Sequence, residues 1–265
     1  MRLRSVAPLV ALAGLAVVAA ACLPSPVTSE GRDVERLYTG FVAIAIVIGA
    51  IVFGLTTFTI LRHRHRAGDE LPPQVSGNLR LEAIWTGLPI VTVLALFGAT
   101  LLVLGRMEQT SDRPGADIRV EAFRWGWTFR YPTEGITVSG IGSPGPEVVV
   151  PVGQPIRLTL TSADVDHAFF VPIFLFKRDA IPGRESSFEF TVEEAGTYGG
   201  QCAEFCGIYH ARMPFTVRAV ARAEYDQWLR SQPRSSAQPS GAGPAGPGSA
   251  APSGSGLQTL PAAAP

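Results

Sequence analysis

The sequence predicts a membrane-anchored α+β chain: an N-terminal hairpin of two transmembrane helices, followed by a β-sandwich that carries a metal site. Three observations predict it. Two long runs, Tyr38–Leu61 and Ala83–Gly105, contain no charged residue. From Asp117 onward, apolar residues recur with period two. One short stretch, Tyr198–Met213, then gathers Cys202, Cys206, His210 and Met213 within twelve positions.

Residues 1–21 read as a secretory signal. Arg2 and Arg4 form a basic start, an apolar run follows from Val6 to Val18, and Ala19, Ala20 and Ala21 precede Cys22. A cysteine directly after such a run resembles a bacterial lipoprotein site, with Cys22 lipidated and first in the mature chain. The usual aliphatic residue three before the cysteine is Ala19 here, and simple cleavage with an incidental Cys22 is the alternative. Residues 22–37 are polar, hold Pro24, Pro26 and Gly31, and are expected to form an exposed linker.

The hairpin is expected over 38–105. A helix over Tyr38–Leu61 would be about 36 Å long at 1.5 Å per residue, enough to cross a hydrocarbon core of roughly 30 Å. It ends in the cluster Arg62–His63–Arg64–His65–Arg66, and arginines so close to a span mark the cytoplasmic end. His63 and His65 are a poor metal pair, because the arginines around them repel a cation. Pro72, Pro73 and Gly77 form the turn of a cytoplasmic loop over 62–80. Pro89 lies near the start of the second apolar run, where a helix tolerates proline best. Two antiparallel spans leave both outer ends, and everything after Arg106, outside the cytoplasm.

The strands follow over 106–231. Ile156, Leu158 and Leu160 alternate with Arg157, Thr159 and Thr161; Phe188, Phe190 and Val192 alternate with Ser187, Glu189 and Thr191; Phe215 and Val217 alternate with Thr216 and Arg218. These are half-buried strands divided by Gly and Pro, enough for one sandwich or barrel. Arg222–Ser231 reads as a short closing helix. Residues 232–265 are mostly Ser, Ala, Pro and Gly, cannot bury a core, and are expected to be disordered. Formal net charge is zero, so no basic footprint points to nucleic acid.

Thiolate, imidazole and thioether together favour copper over calcium or magnesium. A second histidine, His167, lies thirty-five residues before Cys202, after a strand-like run, as a ligand from a neighbouring loop would. A disulfide between the two cysteines would leave His210 and Met213 unexplained. Zinc seldom takes a thioether. An iron–sulfur cluster normally needs four thiolates, and the chain has three cysteines.

The run C-A-E-F-C-G-I-Y-H-A-R-M, from Cys202, resembles the binuclear copper loop of cytochrome c oxidase subunit II, of the bacterial kind. So does D-V-D-H-A-F-F-V-P-I-F-L-F-K-R-D-A-I-P-G-R, Asp164–Arg184, which holds His167. The resemblance covers roughly residues 35 to 230. It implies a cupredoxin-like sandwich and two copper ions bridged by Cys202 and Cys206. His167 and His210 would cap one copper each, with Met213 a weak ligand on one and the Glu204 backbone carbonyl on the other. It further implies that the Glu204 side chain reaches a magnesium site shared with the large subunit, and that Trp125 receives electrons. This family usually has an aromatic residue between the two tryptophans, where this chain has Gly126. Glu82, in the run E-A-I-W-T-G-L-P, resembles a carboxylate at the cytoplasmic mouth of a proton path. The implied partners are cytochrome c as donor, a haem-bearing catalytic subunit I, further oxidase subunits and membrane lipid. The implied role is a subunit of an enzyme in which another chain reduces oxygen and pumps protons. A copper-domain subunit of a nitric oxide reductase and a membrane-tethered copper-delivery module are the competing readings.

Overall fold

A computed structural model describes residues 23–64 and 77–234. The signal segment with Cys22, the part of the loop that holds His65 and Arg66, and the tail beyond residue 234 lie outside the described residues.

Two long helices come first. Helix α1 spans Ser29–Arg62 and α2 spans Leu79–Met107. The Thr28 hydroxyl caps α1 by accepting from the Gly31 N–H at 3.0 Å, and the Asn78 side chain caps α2 by accepting from Leu81 N–H at 3.2 Å. Each cap satisfies a donor that the first helical turn leaves without a partner. Both helices are long and apolar enough to cross a membrane, and their large apolar side chains, from Val47 to Leu61 and from Ile84 to Leu104, stand exposed around them. Two details differ from the sequence reading. The expected linker over 22–37 stops early, because α1 already begins at Ser29. Pro89 lies well inside α2, because that helix begins four residues before the uncharged run. A proline is tolerated in a span where neighbouring groups satisfy the freed carbonyl.

Among the described residues, ten strands form two five-stranded sheets. They are β1 (Ala116–Phe123), β2 (Gly126–Tyr131), β3 (Ile136–Ile141), β4 (Glu147–Pro151), β5 (Pro155–Ser162), β6 (His167–Val171), β7 (Phe176–Ala180), β8 (Ser186–Thr191), β9 (Gly196–Cys202) and β10 (Pro214–Val220). One sheet runs β3-β2-β1-β5-β8 and the other β4-β10-β9-β6-β7. Pairing is parallel between β1 and β5 and between β4 and β10, and antiparallel elsewhere. The predicted alternation holds in β5, where Ile156, Leu158 and Leu160 turn inward. Aromatic rings fill the core at the end that holds the cysteines: Phe169 stacks on Phe215 at 4.6 Å, and Trp127 meets Phe215 edge-on at 5.1 Å. Helix α3 (Arg222–Ser231) closes the far end, with Trp228 against Tyr131 at 5.2 Å.

Strand β8 breaks the alternation, and that break fastens the hairpin to the sandwich. Glu189, expected on the outer face, is buried. Its carboxylate accepts from the N–H and hydroxyl of Ser111, both at 2.8 Å, and pairs with Arg157, which also donates to the Ser111 carbonyl. Ser111 belongs to the connection between α2 and β1. The segment before α1 docks on the same side. Thr28 bridges Val192, the Val27 carbonyl accepts from Glu193 N–H at 2.8 Å, and Glu30 accepts from Thr191 N–H at 3.0 Å. Gly31 is required here, because a Cβ would stand 2.7 Å from the Phe174 carbonyl oxygen. Both ends of the hairpin are therefore tied to one strand and its continuation.

Candidate metal centre

The candidate ligands come from three places in the second sheet. His167 opens β6, immediately after the loop that leaves β5; it begins a strand where the sequence suggested it would follow one. Cys202 ends β9. Cys206 lies in the following loop, His210 starts a single 3-10 turn, and Met213 stands just before β10. The antiparallel pairing of β9 with β6 sets Cys202 opposite Phe169, which brings the residues near 167 beside those near 204.

The donor atoms converge. The two sulfurs are 3.9 Å apart and both cysteines are free, far beyond the S–S bond of about 2 Å. Two thiolates bound to one ion at about 2.3 Å each, at a tetrahedral angle, lie roughly 3.8 Å apart, so the observed spacing fits shared metal. His167 Nδ1 stands 3.7 Å from the Cys202 sulfur, and His210 Nδ1 stands 3.5 Å from the Cys206 sulfur. The Met213 sulfur lies 3.9 Å from that of Cys206, and the Glu204 carbonyl oxygen lies 3.2 Å from that of Cys202. Ligand atoms of His167, Cys202 and Cys206 all fall within 4.8 Å of one another, enough to hold a metal ion. His167, both cysteines and Met213 are buried.

The surroundings prepare these groups for a cation. Burial works against ionising Cys202, but hydrogen bonds from His167 and from nearby backbone outweigh it and lower its thiol well below the ordinary value. Cys206 moves the other way, raised by burial and then by the charge on Cys202. A bound cation would favour loss of that proton, because the thiolate and not the thiol is the ligand. His167 Nε2 donates to Asp164 at 2.9 Å, which aims Nδ1 at the sulfurs. Burial acts to raise Asp164, yet bonds from His167, Arg124 and Val165 bring its carboxyl down to about 2. Asp164 was legible only as part of the motif; three positions before a histidine is a common spacing, and its bond becomes visible only once the loop is folded.

Trp125 lies in the turn between β1 and β2, half-buried. Its indole N–H donates to the Cys206 carbonyl at 3.2 Å, and its ring meets Tyr209 edge-on at 4.9 Å. Gly126, where the family usually has an aromatic, has no room for one: a Cβ would press on the Gly140 carbonyl, Ile141 and Phe123. Tyr209, which the sequence did not single out, supplies a ring beside Trp125 instead. The Glu204 carboxylate pairs with Lys177 at 2.9 Å, and Lys177 also pairs with Asp179 at 3.1 Å. Glu82 stands exposed in the first turn of α2, at the end of the hairpin opposite Ser111, and is not part of this cluster.

A family model described as cytochrome c oxidase subunit II, periplasmic domain, matches residues 144–220. The probable cytochrome c oxidase subunit 2 of Streptomyces avermitilis is 33% identical over 247 residues, covering 78% of this chain and 77% of that protein. The chain belongs to the cytochrome c oxidase subunit II family. Cytochrome c oxidase subunit 2 of Cereibacter sphaeroides is likewise 33% identical, over 224 residues covering 72% of this chain and 73% of that one. Among solved structures, the periplasmic domain of subunit II of cytochrome oxidase of Bradyrhizobium japonicum is 35% identical and covers 46% of this chain and 96% of its own, with a TM-score of 0.44. Subunit II is part of an oxidoreductase. The stretch matched by the family model contains His167, Cys202, Glu204, Cys206, His210 and Met213 but neither Trp125 nor Glu82. The two apolar helices and a family domain described as periplasmic fit a membrane protein whose candidate ligands lie in the domain that follows the helices.

Proposed function

We propose that this chain accepts electrons from cytochrome c through a binuclear copper centre and hands them to haem in the catalytic subunit I of a respiratory oxidase, where oxygen is reduced and protons are pumped. The observation that carries this reading is the pairing of donors. Each imidazole faces a different sulfur, His167 with Cys202 and His210 with Cys206, which divides the donors into two sets that share both thiolates. Cys202 and Cys206 would hold both ions, His167 and the Glu204 carbonyl with His210 and Met213 completing the sets. When bound, such a pair supplies a one-electron relay whose geometry changes little between oxidation states. The Glu204 carboxylate, paired with Lys177 through one oxygen, would be this chain's ligand to a magnesium shared with the large subunit. The test is metal analysis and electron paramagnetic resonance of the full-length chain in detergent. Two coppers per chain and one unpaired electron spread over two nuclei are expected; a single copper, or zinc in the native protein, overturns the reading.

Trp125 serves as the receiving group in this proposal. Its ring reaches the surface, and its N–H bond to the Cys206 carbonyl gives a short path from that surface to a ligand's backbone. Trp125→Ala is expected to slow reduction by cytochrome c at least tenfold, about 1.4 kcal/mol of barrier, with the copper spectrum retained. Loss of copper in that variant would assign the ring to packing.

The arginines after α1 support a cytoplasmic side for the end of the hairpin that carries Glu82, by the bias of basic residues toward that side. A carboxylate there can collect protons for the catalytic subunit, and a copper-delivery protein would have no use for it. Glu82→Gln keeps the hydrogen bonding but removes the titrating group. Oxygen turnover is expected to fall while copper content and the rate of copper reduction stay unchanged. Wild-type turnover in an assembled complex would leave Glu82 as a favourable charge at a helix N-terminus.

A further inference from the structure

Trp127 follows Trp125 by two residues and has the opposite setting. It is wholly buried in the first sheet, wedged edge-on against Phe215 at 5.1 Å and Phe169 at 6.4 Å. The sequence suggested strand packing for such a ring, and a phenylalanine would serve that purpose. The indole has one polar atom, and a buried N–H requires a partner. Its partner is the carbonyl oxygen of Met213, at 3.1 Å. The same oxygen accepts from the Cys202 N–H at 3.3 Å, so both of its lone pairs are used. One bond comes from β9 in Met213's own sheet; the other crosses the sandwich from β2. Met213 itself lies between the 3-10 turn and β10, with a backbone (φ −122°, ψ 55°) that belongs to neither. The cross-sheet bond therefore adds a second hold on a ligand that, like Cys206, lies outside any helix or strand.

We propose that Trp127 is a positioning residue of the metal centre: by gripping the Met213 carbonyl it sets how closely the thioether approaches the cluster, and so the reduction potential of the bound copper. A weak thioether ligand tunes a copper potential, and its distance is set by the protein more than by the bond itself. The inference rests on the copper reading above. The two indoles then divide the work on one loop. Trp125 holds the carbonyl of Cys206 at its start from the surface, and Trp127 holds that of Met213 at its end from the core.

The test is a double-variant cycle in the intact oxidase complex, read by copper content and by the spectroscopically monitored potential of this copper centre. The deciding variant replaces Trp127 by 3-benzothienylalanine, which keeps the indole shape and puts sulfur where the N–H was; Trp127→Phe accompanies it. In the otherwise unchanged protein the potential is expected to shift upward, because a loosened thioether stabilises the oxidised state less, with two coppers retained. In a Met213→Leu background the same replacement is expected to produce no further shift. An equal shift in both backgrounds would overturn the proposal, since Trp127 would then act through something other than Met213, and so would the absence of any shift in the Met213 protein. Failure of the copper reading shows separately, as a missing two-copper spectrum in the unmodified complex.

Discussion

Cys206→Ser is expected to abolish the paired copper centre. The 3.9 Å sulfur pair is what both ions would share, and a serine oxygen is a hard donor that binds soft copper poorly. It also removes the group that both His210 Nδ1 and the Met213 sulfur face. Loss of a residue that merely orients a ligand typically costs about 10–100-fold in metal affinity, and loss of a shared ligand should cost more. Oxygen uptake driven by cytochrome c should fall more than a hundredfold, and the shared-electron spectrum should disappear. The fold should persist, because the replacement is nearly isosteric and His210 stands close enough to bond the new hydroxyl. Uptake within tenfold of wild type, with two coppers still present, would mean that Cys206 does not bridge.

Glu189→Ala is expected to give the largest loss of stability outside the metal centre. The substitution strips Ser111 of two acceptor contacts and leaves Arg157 without its buried carboxylate. Breaking a buried pair from one side costs roughly 3–5 kcal/mol, and partial exposure of Arg157 places this case near about 3 kcal/mol. For the full-length chain that corresponds to a fall in Tm of roughly 6–12 °C. The connection between α2 and β1 should also become open to proteolysis near Ser111, while the segment around Thr28 stays protected by its own bonds to Val192 and Glu193. An unchanged melting temperature would show that the carboxylate fastens nothing.

The sequence by itself marked the two long apolar helices, the strand character of the chain from Asp117 onward and the soft donors of the candidate centre. Those features are written in composition and in short-range spacing. An uncharged run is long enough to span wherever it folds, and Cys202, Cys206, His210 and Met213 share one loop, so little chain has to be ordered to bring them together. It also marked β5 as half-buried, because a period of two is a property of the strand alone. Only the tertiary structure decided the rest. Glu189 follows the polar phase of its strand, yet it is buried because a connection more than seventy residues earlier in the chain lies over it. The first helix reaches back to Ser29 because Val27 and Thr28 dock beside β8 and Thr28 caps it there. Asp164, Tyr209 and Trp127 gained their roles from contacts across loops and between sheets: a hydrogen bond to His167, an edge against Trp125, a grip on the Met213 carbonyl. Such roles depend on where two distant segments cross, and local spacing carries no record of that crossing.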